Sequence, residues 1–133
     1  MPRYLLDTNI LSAAMRAPQG PVAQRIARAG SSNVCSSIVV LAELRFGVAK
    51  RKSVQLANAL ARVLEALEVV PFEAPADVIY AGLRLDLERR GKLIGANDLL
   101  IAAHALALDC TLVTDNEREF ARVDGLAVEN WLR

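Results

Sequence analysis

At 133 residues the chain has room for one ordinary domain, and residues 1–133 are expected to form that single unit. Apolar residues make up 53% and charged residues 23%, which suits a packed core and excludes a disordered, charge-rich chain. A formal charge of +1 excludes a protein that coats nucleic acid indiscriminately, so any such binding must run through a local patch.

No apolar run reaches the roughly 18 residues that a membrane helix needs. Asp7 and Asn9 interrupt the first apolar stretch at once, so the start does not read as a signal peptide, and a cytoplasmic protein is expected. Cys35 and Cys110 each lie beside strand-like apolar residues and read as buried thiols rather than a disulfide. With no CxxC and a single histidine, a structural zinc site is not expected.

Residues 3–6 are short and apolar and end in Asp-Thr-Asn, as a buried strand does when it stops at polar residues. A helix is expected over 22–29, opened by Pro21 and closed by Gly30, and a second strand over 33–36. Ser37 suits the cap of a helix running to about Val48, with Leu41, Leu44 and Val48 at helical spacing. Another helix is expected over 53–67, then a strand over 69–72 whose Pro71 suits an edge. The second half continues with helices over 76–90 and 97–108, the latter apolar on most faces. A strand over 111–114, a short helix over 117–122 and a last strand over 127–129 follow. Strands alternating with helices predict an α/β/α sandwich around a mostly parallel central sheet.

In such sheets ligands bind beyond the carboxyl ends of the strands. Asp7 and Asp115 fall there, while Glu43 and Asp98 lie early in helices that leave the sheet. Four carboxylates in one crevice repel one another and need a counter-charge. Oxygen ligation points to Mg²⁺, with Mn²⁺ able to substitute, and such ions support phosphodiester hydrolysis. Metal-free ribonucleases commonly use a histidine pair, and this chain has one histidine. Singly, each acid has an ordinary explanation. Asp7 and Asp115 suit turns, and Asp98 suits a first helical turn facing the dipole. Glu43 is harder to explain away, because its helix segment is strongly apolar.

Read together, these segments resemble a known family. Leu5-Leu6-Asp7-Thr8-Asn9-Ile10-Leu11 is similar to the N-terminal signature of PIN-domain proteins. SSIVVLAELRFG, residues 36–47, resembles their second motif, with Glu43 as its acid, and residues 94–105 resemble the third, with Asp98. Residues 112–120 and 128–131 are similar to the closing segment of VapC toxins, so the resemblance runs in order from Tyr4 to Trp131. It implies the PIN fold and a Mg²⁺-dependent endoribonuclease, with tRNA as the substrate class and a VapB antitoxin and a homodimer as assembly partners. It also implies Asp7 and Asp98 as metal ligands, Glu43 binding metal or orienting water, and Thr8 and Thr114 as polar neighbours. Many PIN proteins carry a fourth acid two positions after the threonine. Here that position is Asn116, with Asp115 one earlier, so either can complete the set; Glu119 is a possible outer contributor.

Rival readings are a PIN nuclease of RNA processing and a non-catalytic interaction domain. A haloacid-dehalogenase-like phosphatase would want an acid where Asn9 stands. A response-regulator receiver would want a phosphoacceptor aspartate after the third strand, where Glu73-Ala74-Pro75 follows instead. His104 reads as a structural histidine, and Phe46, Phe72, Phe120 and Trp131 as core aromatics. Lys50-Arg51-Lys52 and Arg84, Arg89, Arg90 and Lys92 are either solvated faces or RNA contacts. The apolar excess in helical stretches 40–46 and 56–64 marks an expected antitoxin groove.

Overall fold

The structure, a computed structural model, describes residues 3–133; Met1 and Pro2, which begin the stretch read as lacking a signal peptide, lie outside it. Strand β1 (Tyr4–Leu6) ends at Asp7, whose Oδ1 accepts a hydrogen bond from the Thr8 amide at 2.7 Å and thereby caps helix α1 (Thr8–Arg16). No loop intervenes. Sequence reasoning assigns no element to 8–16, because the Asp-Thr-Asn that stops the strand also starts the helix. Ile10, Leu11 and Ala14 then bury one face of α1.

Helix α2 (Pro21–Ala29) begins at its proline and ends at Gly30, whose φ of 89° a side chain would disfavour. A 3₁₀ turn (Ser31–Asn33) leads into β2 (Val34–Ser37), buried throughout. Ser37 Oγ accepts from the Val39 amide at 3.0 Å and starts α3 (Ile38–Arg51), a turn longer than its apolar spacing predicts. Ser53 caps α4 (Val54–Leu64) in the same manner. The third strand, β3 (Glu68–Val70), stops just before Pro71, which has no amide hydrogen to extend the ladder. Helices α5 (Ala76–Arg89) and α6 (Ala96–Ala107) pack on each other and are followed by β4 (Thr111–Val113), α7 (Glu117–Phe120) and β5 (Val128–Glu129).

All strand pairings are parallel, and the order across the sheet is β3-β2-β1-β4-β5. The chain builds outward from β1 in one direction and then returns to lay β4 on the other side of β1. The resulting switch point lies between β1 and β4, where Leu6 pairs with Val113. Leu5, Leu6, Leu112 and Val113 are wholly buried there, so the backbone that carries the next residues is held on both faces.

Helix α6 is the innermost helix, with Ile101, Ala102, Ala103 and Ala105 fully buried. His104 is buried with them: its Nδ1 lies 2.8 Å from Ser37 Oγ, and Phe72 meets its ring edge-on at 5.3 Å. Burial pushes its pKa down, against the opposing pull of the Pro71 backbone and Glu73. Cys35 and Cys110 are both buried and outside any disulfide. Phe120 and Trp131 join the core and Phe72 is half-buried, but Phe46 does not join it. It stands 68% exposed, because α3 buries Val40, Leu41 and Leu44 and turns position 46 outward. Among the described residues, no helix is long and apolar enough to cross a membrane.

Candidate active site

Asp7 and Thr114 are the residues immediately beyond β1 and β4, and both are buried. Thr114 Oγ1 donates to Asp7 Oδ2 at 2.8 Å and accepts from the Asn116 amide at 3.0 Å. With the Thr8 amide on Oδ1, both carboxylate oxygens of Asp7 are held in fixed directions. Burial nevertheless raises the pKa of Asp7, outweighing these hydrogen bonds, and the negative charge of Glu43 adds to the rise.

Glu43, half-buried in the second turn of α3, accepts from Thr8 Oγ1 at 2.6 Å and from Asn97 Nδ2 at 3.3 Å. It is thereby tied to the start of α1 and the start of α6. Asp98 sits in the first turn of α6. Its carboxyl is pushed up to about 7, first by burial and then by the charges of Glu119 and Asp7, with Glu43 adding less. The helix N-terminus, which favours an anion, does not overcome that crowding.

Glu119, on α7, is the acid for which sequence reasoning allows only an outer role. Its Oε1 accepts from the Gly95 amide at 2.7 Å, its Oε2 accepts from Asn116 Nδ2 at 2.5 Å, and it hydrogen-bonds to Asp98. The Gly95 amide is the main cause that lowers its pKa. A Cβ at Gly95 would lie 3.3 Å from Asp98 Oδ2, so a side chain there would press on that carboxylate. The usable sequence signal for Glu119 is its position three residues after Asn116, the spacing that puts two helical side chains together.

Asp7, Glu43, Asp98 and Glu119 therefore gather beyond the switch point, with Asn116 in the wall beside Glu119. Asp115 does not join them. Its side chain is exposed, and its Oδ1 accepts from Asn130 Nδ2 at 3.0 Å, while the same amide also donates to Glu117 at 2.9 Å. Thr114 uses the inward direction at the end of β4, which turns the next residue outward.

Among the described residues no lysine or arginine forms an ion pair with Asp7, Glu43 or Asp98. Clustered carboxylate oxygens without an ion-paired lysine or arginine are the donor set a hard divalent cation takes. Among the described residues, no three of these side chains converge closely enough to enclose an ion alone.

The match to the PIN-domain family model spans residues 4–126. Ribonuclease VapC2 of Rickettsia felis is 42% identical over 96% of this chain and 97% of that protein. The tRNA(fMet)-specific endonuclease VapC of Shigella flexneri is 32% identical over 98% of this chain and 99% of its own length. The crystal structure of Rickettsia felis VapBC2 bound to a promoter DNA fragment contains a chain that superimposes with a TM-score of 0.89 at 40% identity. That match covers 96% of this chain and 98% of the other. The chain thus belongs to the PIN-domain family and, within it, to the VapC ribonucleases.

Proposed function

We propose that residues 1–133 act as one PIN domain, a Mg²⁺-dependent endoribonuclease that serves as the toxin of a type II toxin–antitoxin pair and cuts tRNA in the cytoplasm. The observation that carries this reading is the gathering of four carboxylates beyond β1 and β4, with no ion-paired cation at Asp7, Glu43 or Asp98 among the described residues. Asp7 and Asp98 would hold Mg²⁺ or Mn²⁺. When bound, the ion would offset phosphate charge and make water more acidic. Glu43, fixed by Thr8 and Asn97, orients the attacking water. Glu119 and Asn116 brace Asp98 from the opposite wall. The oxygen of that water bonds to phosphorus as the bond to the 3′-oxygen breaks, leaving a 5′-phosphate and a 3′-hydroxyl.

Support for tRNA as substrate is the relative whose name specifies tRNA(fMet). Support for an antitoxin partner is the likeness to chains from VapBC complexes. A groove between α3 and α4, lined by Val48, Leu60 and Leu64 among others, offers apolar surface to an antitoxin helix, and Phe46 and Val54 stand exposed on the same two helices. The toxin is expected to form a homodimer in that assembly. Induced expression in a bacterial host, followed by sequencing of RNA 5′ ends, tests the reading. Growth arrest with discrete tRNA cuts, abolished by Asp98→Asn and relieved by the adjacent gene, is expected. Arrest without cleavage, or cleavage confined to other RNAs, contradicts it.

A further inference from the structure

Helices α1 and α3 run side by side away from the acids and enclose a groove of about 260 Å³. Thr8, Ser12 and Arg16 line it from α1, and Glu43, Gly47 and Arg51 line it from α3, while Met15, Leu44 and Val48, with Leu56 of α4, make its walls partly apolar. The 2.6 Å hydrogen bond from Thr8 to Glu43 closes one end. Arg16 and Arg51 stand at the other, each a little over two turns beyond Thr8 and Glu43, a rise of about 12 Å along the helix. Both arginines are exposed, and neither forms an ion pair among the described residues.

Gly47 lies midway. A glycine inside a helix is unfavourable relative to alanine, yet a Cβ at this position would meet nothing within 4 Å. The chain's own packing therefore gives no reason for glycine here. What glycine does provide is a lowered floor, where another backbone can approach the helix closely.

We propose that this α1–α3 groove seats the RNA strand beside the cleaved bond. The sugar–phosphate backbone passes over Gly47, and a phosphate beyond the scissile one is held between Arg16 and Arg51. The inference rests on the ribonuclease reading above and adds where the substrate lies. Two unpaired guanidiniums offer forked donors that match phosphate oxygens. Their place two turns along the helices from Thr8 and Glu43 assigns them a neighbouring phosphate rather than the reacting one. They also supply the local positive patch that a chain of near-zero net charge needs to hold a polyanion. A polypeptide is the other conceivable occupant, but paired arginines on a groove that opens onto a phosphodiester-cleaving site favour RNA.

The full chain and its Gly47→Ala, Arg16→Ala and Arg51→Ala variants are assayed on a fluorescently labelled tRNA across a potassium chloride series. Gly47→Ala should melt no lower than wild type, because alanine favours the helix. It should still raise KM at least about fivefold, the low end of an overpacking penalty, with kcat changed less. Each arginine variant should flatten the dependence of log(kcat/KM) on log salt by about 0.7, and Arg→Lys should restore it. Unchanged KM and salt slopes in variants of an active enzyme overturn the proposal. An inactive wild type overturns the ribonuclease reading instead. Variants that cut RNA normally but bind the antitoxin more weakly assign the groove to a polypeptide and also overturn it.

Discussion

Thr114 Oγ1 donates to Asp7 Oδ2 across 2.8 Å, joining the end of β4 to the end of β1 at the point where the sheet changes direction. The same oxygen accepts the Asn116 amide, so one buried hydroxyl sets both the carboxylate and the turn that leads to Glu119. Thr114→Val keeps the shape and removes the hydroxyl. Activity should fall about 10- to 100-fold, as when a partner that orients a ligand is lost, while Thr114→Ser retains most of it. Steady-state cleavage with thermal melts as a folding control is the measurement. Full activity in the valine variant would show that Asp7 needs no such support.

Glu119 faces Asp98 and Asp115 faces Asn130, so the two acids should respond differently to removal of their charge. Glu119→Gln should raise the Mg²⁺ needed for half-maximal cleavage roughly tenfold. Asp115→Asn should leave that requirement where it is. A metal titration of both variants decides, and the reverse result would return Asp115 to the metal site.

His104 links α6 to the cap of α3 and is buried neutral, with its pKa lowered. The unfolded chain, with an ordinary histidine, binds a proton at a higher pH than the folded one. Stability from this group is therefore fully present above the ordinary pKa of about 6.5 and is lost as the pH falls through the lower folded value. Urea unfolding of the wild type at pH 7 and pH 5 should show acid loss that His104→Gln reduces, by up to about 1.4 kcal/mol per pH unit titrated. Identical pH dependence in both proteins would mean that His104 titrates no differently when folded.

Much of this arrangement is legible in the sequence where one residue has one task. Ser37 before an apolar helix, Pro21 and Gly30 around another, and the short, largely apolar runs of β1 and β4 give the alternating pattern directly. Helix α1 escapes because Asp7 ends a strand and caps a helix in the same step, which leaves none of the loop that usually separates two elements. Asp7, Glu43 and Asp98 can be located because strand ends and an apolar helix make carboxylates conspicuous. Glu119 can be named only as an outer contributor, since it lies among charged neighbours on a short helix, and only tertiary folding brings it against Gly95 and Asp98. Phe46 misleads for the opposite reason: an aromatic in an apolar segment looks like core until the helix face is known.

The most direct test is cleavage of RNA by the purified full chain in Mg²⁺, in EDTA and as the Asp7→Asn variant, with circular dichroism to confirm that the variant folds. Cleavage in Mg²⁺, its loss in EDTA, recovery on adding Mg²⁺ or Mn²⁺, and background activity from a folded Asp7→Asn protein are the expected results. Undiminished cleavage in EDTA, or by Asp7→Asn, would contradict a carboxylate-held metal as the source of the chemistry.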